Sequence, residues 1–187
     1  MQGLPVITAY DGIITGTVKE LLVEPYERKV AGLLVVSRNF LPGIKLLPFN
    51  EIKALSEKVV LIKSKDALKK PDQSSGLVEL WKKGPRLFGQ KVIAEDGSYL
   101  GQMVNFTFEL STGDITEIII APGLMRLGRS YHLESSYILT IGKDAVVVKR
   151  EGREALTYIP GKISHTFSKI KENLARWGKA IIKKQDD

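Results

Sequence analysis

The chain contains one short pattern twice, and this repetition limits the folds that are open to it. The pattern is a Val-Ile pair, an Asp-Gly pair and a further glycine, found at Val6-Ile7, Asp11-Gly12 and Gly16 and again at Val92-Ile93, Asp96-Gly97 and Gly101. From Asp11 to Asp96 the offset is 85 residues, and an apolar stretch follows each Asp-Gly pair. Self-similarity at a fixed spacing is typical of duplicated units, so two copies of one small domain are predicted.

Each copy has the sequence pattern of a small β domain. Short apolar, β-branched runs are separated by Asp-Gly and Pro-Gly turn signals. Val104, Phe106, Phe108 and Leu110 alternate with other residues, which is the period-two pattern of a half-buried strand. Five or six such strands per copy predict a barrel or sandwich, and a barrel is favoured because closure removes exposed edges. Each copy is expected to enclose an interior of its own.

The composition excludes several kinds of chemistry. The chain has 187 residues and no cysteine, which rules out disulfide bonds, thiolate metal sites and a cysteine nucleophile. Its length suits two small domains, and its apolar runs are too short to span a bilayer. The lack of cysteine and of an evident signal peptide predicts a cytoplasmic protein.

The C-terminal segment differs from the two copies in charge and periodicity. The net charge is +7, and the stretch from Lys162 to Lys184 holds seven basic residues and one acidic residue. Large apolar side chains recur there at spacings of four and three residues, which predicts an amphipathic helix that needs a surface to cover its apolar face. Docking of this face on the barrels or on a second copy is favoured, and an anionic membrane, a nucleic acid or another protein are the alternatives. The candidate surface-binding residues are Lys162, Phe167, Lys169, Ile170, Lys171, Leu174, Arg176, Trp177, Lys179, Ile181, Lys183 and Lys184.

The order of these features resembles the PRC-barrel, a module of the photosynthetic reaction-centre H subunit and of the bacterial ribosome maturation factor. The resemblance rests on the Val-Ile pair, the Asp-Gly turn with its following glycine, the apolar strands and the turn at 141–144. In the first copy, Leu55-Ser56-Glu57-Lys58 replaces that Ile-Gly-Lys-Asp turn. The resemblance implies a mainly β protein with two small PRC-type β-barrels in tandem, used for macromolecular contact rather than chemistry.

The predicted organisation follows from the repeat and from this resemblance. We expect a first PRC-like β-barrel over 1–68, a linker over 69–85, a second PRC-like β-barrel over 86–150 and a basic amphipathic helical tail over 151–187. The membrane helix of the H subunit and the N-terminal barrel of the maturation factor have no counterpart here. The resemblance therefore implies the fold and neither of those two specific functions.

Two loops with Pro-Gly carry apolar side chains beside arginines, a combination that is enriched at protein interfaces. They are candidate partner-binding loops. The alternative is that their apolar residues cap the barrels or fill the seam between the copies. The candidates are Arg38, Phe40, Leu41, Leu124, Met125, Arg126 and Arg129.

No sequence pattern indicates a catalytic, metal or cofactor site. The two histidines, His132 and His165, lack the further ligands that a metal site needs. Asp11 and Asp96 could form an acidic pair, but each precedes a glycine, and hairpin turns are the favoured interpretation. The chain is therefore predicted to be non-enzymatic and to use no cofactor.

The functional prediction is an adaptor or scaffold that docks another macromolecule, with the cytoplasmic face of the inner membrane as one location. A protein partner is favoured. An anionic membrane surface or RNA bound through the C-terminal helix, and a second copy of the chain, stay open as partners. The rival functions are a ribosome- or RNA-associated factor in RNA processing and a small-ligand-binding protein.

Overall fold

Both copies of the repeat form curled, mainly antiparallel sheets in the computed structural model, which describes residues 1–37, 43–123 and 129–159. The first copy contains β1 (Pro5–Thr8), β2 (Ile14–Glu24), β3 (Lys29–Ser37), β4 (Ile44–Pro48), β5 (Ile52–Leu55) and β6 (Val60–Ile62). The helix α1 (Ser75–Lys83) follows. The second copy contains β7 (Lys91–Ala94), β8 (Tyr99–Phe108), β9 (Ile115–Ala121), β10 (Ser130–Glu134), β11 (Ile138–Ile141), β12 (Ala145–Val148) and β13 (Thr157–Ile159).

The two sheets share one strand order, which is the structural form of the repeat. The first sheet runs β4-β3-β2-β1-β6-β5, and the second runs β10-β9-β8-β7-β12-β11 with β13 added outside β10. In both, the first strand of the copy pairs antiparallel with the second strand and parallel with the sixth. The prediction of two similar small β units in tandem is confirmed.

The repeated glycines have the same physical role in both copies. The glycine of each Asp-Gly pair has a positive φ, 68° in the first copy and 85° in the second, as a tight turn requires. The following glycine lies where the next strand comes very close. A β-carbon at Gly16 would lie 2.6 Å from the carbonyl oxygen of Val36, and one at Gly101 would lie 2.3 Å from that of Ala121. The motif therefore encodes one turn and one close strand crossing.

The hydrophobic interior is shared between the copies. A single cluster of buried side chains contains Val6 and Leu33 of the first copy together with Met103 and Ile120 of the second. The expectation of a separate interior for each copy is therefore wrong. The edge strands β4 and β5 do not pair with each other in the described part of the chain, so the first sheet is curled but not closed by hydrogen bonds. A copy of this size gains additional burial by packing its interior against the other copy.

Hydrogen bonds and an ion pair lock the copies together at the turn before β3. Two backbone hydrogen bonds, of 2.8 and 2.9 Å, join the start of β3 to the turn between β8 and β9. The Arg28 guanidinium donates to the carbonyl oxygens of Ser135 at 3.1 Å and Ile138 at 3.0 Å. Beside it, Lys29 Nζ lies 3.4 Å from a carboxylate oxygen of Asp114. The relative position of the two sheets is thus held by main-chain groups as well as by apolar packing.

The segment predicted as a linker contains α1, which packs on the outside of the first sheet. Leu77 of this helix is buried against a second cluster that includes Leu22, Leu34 and Leu46. These leucines alternate along their strands with residues of the shared interior, so β3 and β4 are covered on both faces. A β-carbon at Gly32 would lie 3.1 Å from the Leu77 side chain, so a residue without a side chain lets the helix approach closely.

The region predicted as a helical tail begins with other structure. A 3₁₀ turn at Arg150–Arg153 leads into β13, which pairs antiparallel with β10. Residues 160–187, with the amphipathic pattern and all its candidate residues, lie outside the described part of the chain. Within the described part, no helix has the length and apolar character needed to cross a membrane.

The lowered pKa values of three aspartates at turns allow a prediction of how the stability of the fold depends on pH. The pKa of Asp11 is lowered mainly by the Thr8 hydroxyl, that of Asp96 by the Ser98 hydroxyl and that of Asp114 by the Thr112 hydroxyl. Because the folded pKa values lie below the ordinary 3.8, the unfolded chain binds these protons more tightly. We expect stability to fall as the pH drops below that value.

Urea unfolding from about pH 5 to about pH 2 would measure this dependence. Replacing the three aspartates with asparagine should flatten the decline, because asparagine keeps a turn-forming carbonyl but does not titrate. An unchanged decline in that triple variant would show that other groups cause it.

Candidate functional site

Most of the predicted site residues lie where the structure gives no description. Arg38, Phe40, Leu41, Leu124, Met125 and Arg126 fall in 38–42 and 124–128, outside the described residues. Arg129 is described; it is exposed and directly precedes β10. The loop hypothesis and the helix hypothesis therefore stay predictions.

Asp11, Asp96 and His132 each contact neighbouring residues of their own turn or sheet. Asp11 accepts hydrogen bonds from the Thr8 hydroxyl and, at 3.2 Å, from the backbone N–H of Ile13. Asp96 likewise accepts from the backbone N–H of Ser98 at 2.9 Å, so the interpretation of both aspartates as turn residues is confirmed. His132 on β10 makes a cross-strand contact of 3.1 Å with Glu117 on β9. Across residues 1–37, 43–123 and 129–159, no three His, Asp or Glu side chains cluster as a metal site would need.

A groove of about 1180 Å³ lies between the two copies, and we call it the inter-repeat groove. The first copy contributes the turn between β2 and β3, and α1 contributes one of its faces together with the two residues that follow it. The second copy contributes β11 and the turn that follows it. The lining residues are Glu24, Pro25, Tyr26, Arg28, Gly76, Glu79, Leu80, Lys83, Gly84, Pro85, Ser136, Ile138 to Lys143 and Lys149.

Two exposed apolar side chains border the groove. Tyr26 is 93% exposed at the tip of the β2–β3 turn, and Leu139 is 47% exposed on β11. The backbone N–H of Tyr26 donates to a Glu24 carboxylate oxygen at 3.3 Å, which holds the turn in place. Large apolar side chains with this exposure are available for contact with a partner.

The strand β11 is an edge strand that runs along the groove. It pairs with β12 on one side, and the described part of the chain places no strand on its other side. At the start of β11, the Arg28 guanidinium donates a hydrogen bond to the carbonyl oxygen of Ile138. The buried side chain of Gln90 donates to the carbonyls of Gly142 and Lys143 at 3.0 and 2.9 Å and so fixes the turn at its end. Between these anchors the strand is held in position, and no strand of the described residues pairs with its outer edge.

The charged side chains of the groove have a positive balance. Four are basic (Arg28, Lys83, Lys143 and Lys149) and two are acidic (Glu24 and Glu79), which makes the net charge +2. Lys83 pairs with Glu79 at 3.2 Å within α1. No carboxylate of the described residues lies within ion-pair distance of Lys143 or Lys149, so these two ammonium groups remain available for an acidic partner.

Sequence reasoning did not find this groove. Its walls come from residues more than 100 positions apart, as the contact between Arg28 and Ser135 shows. Tyr26 has the sequence context of an ordinary turn, and Leu139 that of an ordinary short strand. The one usable signal was an apolar residue at the tip of a polar turn.

The geometry defines a protein of two similar curled sheets in tandem, with exposed turns and strand edges that no described strand pairs with. The family model for the PRC-barrel domain matches residues 1–69 and 82–153. The chain therefore belongs to the PRC-barrel family, with two copies of the domain in tandem. No curated protein matched it in a sequence search.

Proposed function

We propose that this chain is a non-enzymatic adaptor whose inter-repeat groove receives an extended segment of a protein partner. The observation that carries the proposal is the open edge of β11, which lies in a groove built by both copies. A partner segment would add a strand there through main-chain hydrogen bonds, while side-chain contacts would supply specificity. The PRC-barrel family membership fits a docking role in general.

The surroundings of β11 favour a particular kind of segment. Tyr26 on the first copy and Leu139 on the second offer apolar contacts from the two sides of the inter-repeat groove. The partner segment therefore needs aliphatic or aromatic side chains. Lys143 and Lys149 favour carboxylates beside them. The partner segment is thus extended, partly apolar and acidic.

A location at the cytoplasmic face of a membrane is part of the same proposal. In the sequence it rests on the basic amphipathic stretch from Lys162 to Lys184. That stretch lies outside the described residues.

Site-specific photocross-linking in cells tests the groove. A photoreactive amino acid at position 26 should capture one protein repeatedly. The same group at position 158 should not, because Tyr158 is exposed on β13 at the opposite edge of the sheet. Leu139→Asp should weaken binding of the captured protein about tenfold or more, because it removes an apolar contact and repels an acidic segment.

Hydrogen exchange then checks the mode of binding. With the purified partner added, amides of β11 should exchange more slowly than in the free chain. A partner that leaves β11 exchange unchanged, or whose cross-linking at position 26 survives Leu139→Asp, would overturn the proposal.

A further inference from the structure

We propose that one surface of the first copy binds anionic lipid membranes directly. The surface combines a cleft lined by lysines, the lysine cleft, with an exposed apolar turn, the apolar tip. The inference deepens the membrane part of the proposed function. It is independent of the groove, and it involves none of the three undescribed segments, 38–42, 124–128 and 160–187.

The lysine cleft has a volume of about 460 Å³ and is lined by Lys45, Lys65, Lys69 and Lys70, with Asp66 as its one carboxylate. Mutual backbone hydrogen bonds of 2.9 and 2.8 Å between Leu46 and Lys69 place β4 beside the chain segment after β6. No described carboxylate lies within ion-pair distance of Lys45, Lys69 or Lys70. Asp66 in the cleft and Asp11 beside Lys65 offset part of the positive charge, and the net charge that is left, +2, favours an anionic partner.

The apolar tip lies beside this cleft. It consists of Tyr10, Ile13 and Ile14 in and after the β1–β2 turn, where Tyr10 is 92% and Ile13 46% exposed. Asp11 in the same turn lies 3.9 Å from Lys65 of the cleft, so the two features form one surface. The hydrogen bonds that Asp11 accepts from Thr8 and Ile13 hold the turn in a defined shape.

The second copy forms the equivalent turn without apolar residues at two of the three tip positions. Its equivalent turn has the same Asp-Gly pair and the same following glycine but is one residue shorter, because Ile93 pairs with Tyr99 where Ile7 pairs with Ile14. It carries Glu95 where the first copy has Tyr10 and Ser98 where the first copy has Ile13, while Tyr99, which is 53% exposed, takes the place of Ile14. An Asp-Gly turn at this place therefore forms with polar residues on either side of the pair, which indicates that the exposed Tyr10 and Ile13 serve something other than forming the turn.

The chemistry of this surface fits a bilayer better than RNA. Aliphatic side chains at a tip can enter the boundary between headgroups and acyl chains, while nearby lysines contact anionic headgroups. RNA recognition would instead call for several aromatic side chains on which bases stack, and Tyr10 is the single aromatic residue of the apolar tip. The anionic headgroup layer therefore matches both the charge and the apolar part of the surface.

A single-site fluorescence experiment tests insertion, and the absence of native cysteine makes labelling specific. The Ile13→Cys variant carries a polarity-sensitive dye on the new thiol. The emission of this dye should shift to shorter wavelength with vesicles of phosphatidylcholine and phosphatidylserine but not with vesicles of phosphatidylcholine alone. Ser98→Cys, the matched position of the second copy, should show no shift. Equal shifts at the two positions, or no shift at position 13, would overturn the inference.

Vesicle flotation of the full chain tests the charge. Lys45→Glu combined with Lys70→Glu should raise the lipid concentration for half-binding about tenfold or more. Ile13→Ser, which installs the second copy's residue, should also weaken flotation. Lys143→Glu combined with Lys149→Glu makes the same charge change at the groove. This variant should change the lipid concentration for half-binding by less than about twofold. Thermal unfolding of each variant checks that it is folded.

The remaining outcomes separate this surface from the alternatives. If both lysine-cleft and tip variants float like the unmodified chain, the C-terminal segment or another surface binds lipid, and the inference is wrong. Salt-dependent RNA binding that is lost in the lysine-cleft variant, without vesicle binding by the unmodified chain, would assign the surface to RNA. Cross-linking at position 26 that persists in the lysine-cleft variant would show that the groove works independently.

Discussion

Replacing Gly101 with alanine is expected to lower the free energy of unfolding by about 2–5 kcal/mol. Two effects add at this position. The backbone has a φ of +142°, which side-chain-bearing residues rarely adopt, and the new β-carbon would lie 2.3 Å from the carbonyl oxygen of Ala121. The strands β8 and β9 would have to separate, and they pair at the centre of the second sheet.

A glycine four residues earlier provides a matched control. Gly97 also has a positive φ, of 85°, but a β-carbon there would meet nothing within 4 Å. Gly97→Ala should therefore cost about 1–2 kcal/mol, the strain of a left-handed backbone alone. Chemical unfolding of both variants measures the difference. If the two substitutions cost the same, the close approach of the strands does not explain the repeated glycine.

Leu33→Ala is expected to cost about 2–5 kcal/mol and to destabilise both copies together. Leu33 is fully buried in the first copy, within the cluster that continues into the second. Phe49 and Phe108 carry contact across the boundary, with ring centroids 6.0 Å apart. Loss of packing in the first copy should therefore also destabilise the strands of the second copy.

Native-state hydrogen exchange distinguishes shared from separate stability. In the Leu33→Ala variant, the slowest amides of β8 and β9 should lose as much protection as those of β2 and β3. A conservative Leu33→Met substitution should have a much smaller effect in both copies, below about 1.5 kcal/mol. Protection that falls in the first copy and is unchanged in the second would mean that the copies unfold independently.

The fold was predictable from sequence to the extent that it rests on local signals. The Asp-Gly turns, the glycine at each close crossing and the short β-branched runs act through neighbouring residues, so the two sheets and their family could be predicted. The position of α1 was harder to predict, because its packing depends on Gly32 and Leu77, which are far apart in the chain. The sharing of one interior depended on which apolar faces meet, and alternation along a strand does not encode that.

The candidate sites depend still more on tertiary contacts. The sequence pointed to two Pro-Gly loops and to the C-terminal basic stretch, which remain predictions outside the described residues. It gave no hint that Arg28 would reach the carbonyl of Ser135, or that Lys45 and Lys69 would line the same cleft. Lysines scattered along a sequence have no evident relation until backbone pairing brings them together.

The duplication, the turn chemistry and the alternation of apolar residues determined by themselves that this protein would be two similar β units, because each acts over a few residues. Tertiary structure alone decided that the units share an interior, that no described strand pairs with the outer edge of β11, and that lysines gather next to an apolar turn. Those outcomes depend on the register of strands and on contacts between distant segments. Such contacts are selected by the packing of the whole chain and not by any short stretch of it.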